Sequence, residues 1–264
     1  MADVTSSQQR SDTTGKPEID RNALAIALHK KSRRFGAYFW IPMVWLIIVA
    51  IACIFAPFWG LPPADEIDWS YIQSPPVEGH PLGTDNLGRD MWTRLVYGAR
   101  NTIGIAFITT CLCFFVGIIG GFFAAVLGGW VDNVTSRLVD ILMSIPTLIF
   151  SLMLLTIFGT SVPVLIAIIA LLDSTRVFRL ARAVAMNITV LDFVEVAKLR
   201  GEGLWWIMRK EILPNAMPPL VAEFGLRFCF VFLFISALSF LGLGLQPPTA
   251  DWGSMVKDNA VQDN

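Results

Sequence analysis

The side chains that most often do covalent chemistry are few in this sequence and poorly placed for it. Its two histidines, His29 and His80, stand in no HExxH or paired-cysteine context that would make either a metal ligand. Four cysteines, Cys53, Cys111, Cys113 and Cys229, all fall in apolar stretches, where a free thiol behaves as a small buried hydrophobe. Cys111 and Cys113 are two residues apart, so on a helix they point to different faces and cannot share a metal ion. No metal site can be named, and no Ser, His and acid set is available for nucleophilic catalysis. The polar residues that do gather suit binding instead. One group is HPLGTDNLGRD, from His80 to Asp90, where Pro and Gly make turns and Asp85, Arg89 and Asp90 can form ion pairs that hold a loop. The other is DFVEVAKLRGEGLWWIMRKEILP, from Asp192 to Pro214, the longest charged interruption between apolar stretches.

The second group reads as a helix, a glycine elbow and a helix. Asp192 and Glu195 have the spacing of a capping box that starts a short helix, and Gly201 sits where a left-handed residue would end it. A second short helix is expected from about Leu204, stopped by Pro214 just after Ile212 and Leu213. Apolar Phe193, Val196, Leu204, Ile207 and Met208 are then available to face a partner or a bilayer surface. Such an element is a docking surface rather than a reactive centre.

The elements that position these groups are membrane spans. The chain is 55% hydrophobic and 16% charged, against a charged fraction of about 25% in soluble domains. Its net charge of −1 and scattered basic clusters give no footprint for nucleic acid. Residues 1–37 form a polar tail whose HKKSRR cluster precedes the first apolar run and should keep the N-terminus in the cytoplasm. That run starts too late and continues too long for a secretory signal peptide. Residues 38–59 make the first span. The acidic, turn-rich stretch 60–100 suits the external side, and residues 101–245 hold the remaining spans and a cytoplasmic loop at 176–216.

Within that core the second span, Asn101 to Val131, carries Gly117, Gly121, Ala125 and Gly129 every fourth residue, a ridge that lets another helix approach closely. A short cytoplasmic turn is expected at Asp132 to Arg137. A third span, about Leu138 to Phe158 with a kink at Pro146, and a fourth, about Val162 to Phe178, follow. Asp173 at the edge of the fourth reads as paired with Arg176, and Glu223 with Arg227 near the start of a fifth span that rises after Pro218 and Pro219 to about Leu245. Residues 246–264 form an external C-terminal segment. The fold class is an all-α, polytopic helix bundle with five predicted transmembrane helices.

Three stretches carry a family resemblance. Glu195, Val196, Ala197, Gly201, Ile212, Leu213 and Pro214 resemble the EAA loop of permease subunits in ATP-binding cassette importers, with EVA here where that family usually has EAA. His80, Gly83, Asp85, Gly88, Arg89 and Asp90 resemble the HPLGTDxxGRD stretch of its oligopeptide, dipeptide and nickel branch. ALSFLGLGLQPP with Trp252 and Gly253 following resembles that branch again. The resemblance implies a permease subunit in a bacterial inner membrane, paired with a sister permease, most simply as a heterodimer. Two ATP-binding cassette ATPases would grip the coupling loop, and an external solute-binding protein would deliver a peptide, nickel or a related solute.

It implies alternating access driven by ATP and Mg bound in the partner subunits, with no cofactor on this chain, which has no GxxxxGK[ST] phosphate loop. Family members continue into a sixth span that is not expected here, either truncated or dispensable. The rival reading is a secondary transporter or channel subunit, whose mark would be ionisable residues deep in the spans. None is expected in the middle of any span.

Overall fold

The computed structural model describes residues 37–55, 58 and 60–260, and the basic tail with His29 lies outside them. Helix α1, Ala37–Phe55, is 19 apolar residues with Pro42 inside and is the described part of the expected first span. The rest builds a bundle from α2 (Met91–Leu127), α3 (Gly129–Ser144), α4 (Thr147–Phe158), α5 (Val162–Thr189), α6 (Asp192–Leu199), α7 (Leu204–Phe240) and α8 (Trp252–Ala260). No strand longer than an isolated bridge occurs among the described residues.

Helix α2 is the axis of this bundle. Its 37 residues rise about 55 Å at 1.5 Å each. Asp90 starts it, its carboxylate accepting the Thr93 backbone N–H at 2.8 Å. The helix begins ten residues before the expected second span, because that cap and the apolar residues behind it outweigh the charges of Arg94 and Arg100. Inside it, Thr102, Thr109 and Thr110 donate their hydroxyls to the carbonyls four residues back at 2.7 to 2.8 Å, so polar side chains are buried with their bonding satisfied.

The largest helix interface is α2 on α5, and the glycine ridge makes it. A Cβ on Gly117 would lie 2.6 Å from Val177 Cβ, and one on Gly121 would lie 2.7 Å from the Phe178 carbonyl oxygen. Ala125 follows as a partly buried member of the same seam. Gly129 does not: with φ +54°, it and Gly128 at φ +62° turn the chain out of α2 and into α3.

The stretch read as a short turn at Asp132 to Arg137 is instead helical within α3. Ile145, held extended before Pro146, then breaks the chain so that α4 leaves α3 at 88°. Pro146 therefore ends one helix and precedes another, where a kink within one span was expected. Across the bundle Arg182 of α5 grips Asp132 of α3, its Nη2 donating to Oδ2 at 2.6 Å.

By length and composition α2 and α7 can each cross a membrane, and α3 with α4 makes a third crossing if the bent pair is one span. Helix α5 is 28 residues long but carries Asp173, Arg176, Arg179 and Arg182. The expectation of five spans takes the bent pair as one span and counts α1 and α5 as crossings too. Only 17% of the most apolar part of α7 is buried inside the chain, so its outer face requires lipid or another subunit as solvent.

Candidate functional site

The segment between α5 and α7 forms an element with two apolar faces. Helix α6 has Asp192 and Glu195 in its first turn and Lys198 in its last, the arrangement that complements the helix dipole. Leu191 rather than Asp192 occupies the cap position and offers no side-chain bond, so the expected capping box is absent and the two acids act through the dipole alone. Arg200 closes the helix and Gly201 follows at φ +81°. The Gly201 N–H donates to the Lys198 carbonyl at 3.0 Å and the Glu202 N–H to the Ala197 carbonyl at 3.2 Å. These paired bonds are the Schellman closure that a left-handed glycine permits.

One face of this element is locked into the bundle. Val194, Ala197, Ile207, Met208 and Ile212 are buried in one cluster with Phe122 of α2, Ala181, Ala185 and Ile188 of α5, and Ala216 and Leu220 of α7. The other face is bare. Val196 is 52% exposed, Leu199 82% and Trp205 60%, and Val190, Leu191, Phe193 and Leu204 are exposed beside them. A contiguous apolar face of this kind on a short polar-flanked element marks an interaction site.

The structure thus divides the residues that the sequence grouped. Glu195, Val196 and Gly201 face outward, and Ala197 and Ile212 anchor the element from behind. Ile207 and Met208, expected to face a partner, are turned inward, because the helix they sit on packs that side against α2 and α5. Pro214 does not stop the second helix. A π-helical turn, Ile207–Ile212, precedes it, with the Leu213 N–H donating to the Met208 carbonyl, and α7 runs on through Leu213 and Pro214 to Phe240. Leu199 and Trp205 were not foreseen. The signal for Leu199 was a second apolar stripe, Phe193, Val196 and Leu199 at intervals of three, on a helix whose first stripe is already buried.

At the other end of α2 the HPLGTDNLGRD motif is a folded clamp. Asp85 Oδ1 accepts the backbone N–H groups of Leu87 and Arg89, both at 2.9 Å, and Oδ2 accepts Arg89 Nε at 2.7 Å and Arg94 Nη1. Burial pushes this carboxyl up, but the backbone donations and the Arg89 guanidinium outweigh it and hold it below the ordinary carboxylate value. Asp258 of α8 approaches Arg89 at 3.6 Å and Arg94 at 3.7 Å. His80 Nδ1 lies 3.1 Å from Asp90 Oδ1, and Gly83 and Gly88 turn at φ +76° and +77°. Asp85, Arg89 and Arg94 are all under 8% exposed, so the motif holds the loop to α2 and α8 rather than offering charges to a solute.

The two ion pairs expected from the sequence, Asp173 with Arg176 and Glu223 with Arg227, are formed, and a third pair joins them. Asp173 Oδ1 is 3.5 Å from Arg176 Nη1 and 3.4 Å from Arg227 Nη1, and Arg227 Nε donates to Glu223 at 2.5 Å. The contact not expected is that of Asp173 with Arg227, which ties α5 to α7. Cys111, Cys113 and Cys229 are free thiols, and no cluster of His, Cys, Asp or Glu suited to a metal occurs among the described residues.

These features define a class: a helical membrane protein of several spans, with an exposed apolar face at one end of its long helix and a clamped polar loop at the other. Residues 117–261 match the family described as the binding-protein-dependent transport system inner membrane component. The "Probable D,D-dipeptide transport system permease protein" of Escherichia coli K12 is 32% identical over 80% of this chain and 71% of its own length. The dipeptide transport system permease of Alkalihalophilus pseudofirmus is 32% identical over 82% and 72%. The glutathione transport system permease of Pectobacterium atrosepticum is 29% identical over 81% and 71%. The chain belongs to this family of inner membrane components: it is a permease of the ATP-binding cassette importers, in their peptide branch.

Proposed function

We propose that this chain translocates peptides by alternating access, and that the outward face of α6 with the start of α7 is where partner ATPases drive it. The observation that carries this reading is the two-sidedness of the docking element. Val196, Leu199 and Trp205 are bare, whereas Val194, Ala197 and Ile212 directly behind them are fully or nearly fully buried against α2, α5 and α7. A push on the bare face is therefore delivered to three long helices at once. ATP and Mg belong to the ATPases, and this chain binds no cofactor. A sister permease completes the path, a solute-binding protein loads it from outside, and the N-terminus lies in the cytoplasm. Peptides are favoured as cargo by the relatives' names, which speak of D,D-dipeptides, dipeptides and glutathione.

The secondary-transporter reading gains the mid-helix charges, but these are mutually paired and the family membership favours a driven permease. Cysteine cross-linking tests the docking role. Leu199→Cys should capture an ATPase subunit carrying a cysteine in its surface groove, in a yield that changes when ATP is trapped. No capture from Leu199, Val196 or Trp205 positions in an intact, active complex would reject the assignment.

A further inference from the structure

None of the 16 residues of α3, Gly129–Ser144, is buried. Three kinds of surface run along it, set by the turn of about 100° per residue. Val131, Thr135, Val139 and Leu142 form a half-buried side toward α2 and α5, and Asp132 beside them accepts Arg182 Nη2 of α5 at 2.6 Å. On one flank Trp130, Val134, Leu138 and Ile141 make an apolar stripe at helical spacing, with Trp130 78%, Leu138 57% and Ile141 62% exposed. On the other flank Asn133, Arg137, Asp140 and Ser144 make a polar stripe, all four exposed. The direction of the helix completes the picture. Helix α4 leaves it at 88°. Helix α3 meets α5 at two places, Asp132 with Arg182 and Met143 Sδ with Arg179 Nη1 at 3.8 Å. Those places are about 16 Å apart along α3 but only about 4.5 Å apart along α5, so α3 runs across α5 rather than beside it.

A helix laid across the bundle, with one side on protein, one bare apolar stripe and one bare polar stripe, fits the three media that meet at a membrane surface: protein, acyl chains and water. A protein covering the apolar stripe would have to stop at Arg137 and Asp140 beside it, whereas a bilayer surface supplies apolar and aqueous media side by side along one line. The stripe also continues into α4, a 12-residue helix without a charge on which Leu148, Ile149, Met153 and Ile157 are exposed. Depth agrees. Helix α4 rises only about 18 Å against a hydrocarbon core of about 30 Å. Interfacial helices sit about 5–10 Å into the boundary of headgroups and acyl chains, so a seat of that kind brings the remaining distance close to the length of α4. The two charges on the polar stripe, Arg137 and Asp140, cancel, so the seat has no call for anionic lipid.

We infer that α3 is a lipid-seated helix lying in the plane of the membrane surface, on the side of the docking element: Trp130, Val134, Leu138 and Ile141 dip among the acyl chains, and Arg137 and Asp140 stay with the headgroups and water. Through Asp132 and Arg182 the seat holds α5, whose end leads into the docking element, at a fixed height in the bilayer.

The test uses the complete transporter in nanodiscs of phosphatidylethanolamine, with and without phosphatidylglycerol. In a chain whose native cysteines are replaced, Trp130→Cys, Asn133→Cys, Leu138→Cys, Asp140→Cys and Ile141→Cys each carry a spin label at an exposed position. Collision of the label with oxygen, which concentrates among acyl chains, is compared with collision with a nickel chelate, which stays in water. The oxygen-to-nickel ratio should be about fivefold higher or more at positions 130, 138 and 141 than at 133 and 140, as for a helix half immersed at the interface. Positions 130 and 141 should lie at depths within about 5 Å of each other, where a helix crossing the bilayer would separate them by about 16 Å. Both results should be the same in the two lipid mixtures. Stripe labels shielded from both reagents would show a protein subunit covering α3, and stripe labels open to nickel would show it facing water. A depth difference near 16 Å would make α3 part of a transverse span, and immersion only with phosphatidylglycerol would make the contact electrostatic. Each of these four outcomes overturns the proposal.

Discussion

At Gly201 the backbone takes φ +81°, and a Cβ built there meets nothing within 4 Å. Substitution is therefore opposed by backbone conformation alone, at roughly 1–2 kcal/mol for a β-branched residue. Gly201→Val should leave the complex assembled but uncouple it: hydrolysis no longer responds to loaded binding protein and uptake collapses. Gly201→Asn, which tolerates the left-handed region, should restore much of the coupling. Vesicle assays of uptake and stimulated hydrolysis decide between a hinge and a mere linker. At Asp85 the expected effect is on stability. Its folded-state pKa lies below the ordinary 3.8, so its contribution is fully present above about pH 4 and is lost as pH falls through the depressed value. Asp85→Asn leaves Arg89 and Arg94 with only Asp258 beyond 3.5 Å, a loss on the order of 3–5 kcal/mol as for other broken buried pairs. Thermal melting in detergent should show the variant destabilised at pH 7 and the difference shrinking only below pH 4.

The seam of α2 on α5 depends on absent side chains, and neighbouring glycines separate the reasons. At Gly121 an added methyl meets the Phe178 carbonyl oxygen and the Arg182 nitrogen, at 2.7 and 2.8 Å, both backbone atoms that cannot step aside. At Gly120 it meets only the Phe178 ring edge at 3.2 Å. Gly121→Ala should therefore destabilise the folded chain by about 1–3 kcal/mol, as overpacking does, and Gly120→Ala should do so far less. The temperature at which detergent-solubilised protein aggregates measures both. This seam was legible in the sequence because close approach of helices imposes a period of four on small residues. The clamp was legible only in part, since Arg94 and Asp258 stand outside the motif that names Asp85 and Arg89. The pairing of Asp173 with Arg227 was hidden by its 54-residue separation, which no helical period reports. The continuation of α7 through Pro214, Pro218 and Pro219 was hidden too: a proline breaks a helix by default, and no residue spacing reports the π turn that precedes the first of them.

Among the described residues the polar loop and the element with the exposed apolar face sit at opposite ends of α2. Trp252 Nε1 donates to the Leu95 carbonyl at 3.0 Å and Asn101 Nδ2 to the Ala250 carbonyl at 2.9 Å, so α8 sits beside the loop clamp. The docking element packs on Phe122, near the far end of the same helix. With basic residues crowding the docking end, the expected topology has residues 10 and 200 inside and residues 75 and 255 outside. Reporter tagging or cysteine accessibility in intact cells checks it, and an external residue 200 would reverse every assignment of sides. Expressed without its partners the chain should hydrolyse no ATP and move no peptide, which vesicle reconstitution of the single subunit can establish.

Unlike α3 and α4 with their 88° joint, or α7 with its π turn, α2 is an unbroken α-helix of 37 residues. It is a pushrod. Tilting a rod of about 55 Å by about 1° carries its far end roughly 1 Å sideways, so a small displacement at Phe122 is felt at Arg94 without waiting for any joint to straighten. Spin labels placed at the two ends of α2 should keep a constant separation through the transport cycle, while each moves against a label on α4. A changing end-to-end distance would mean that the rod buckles and that the stroke is transmitted elsewhere.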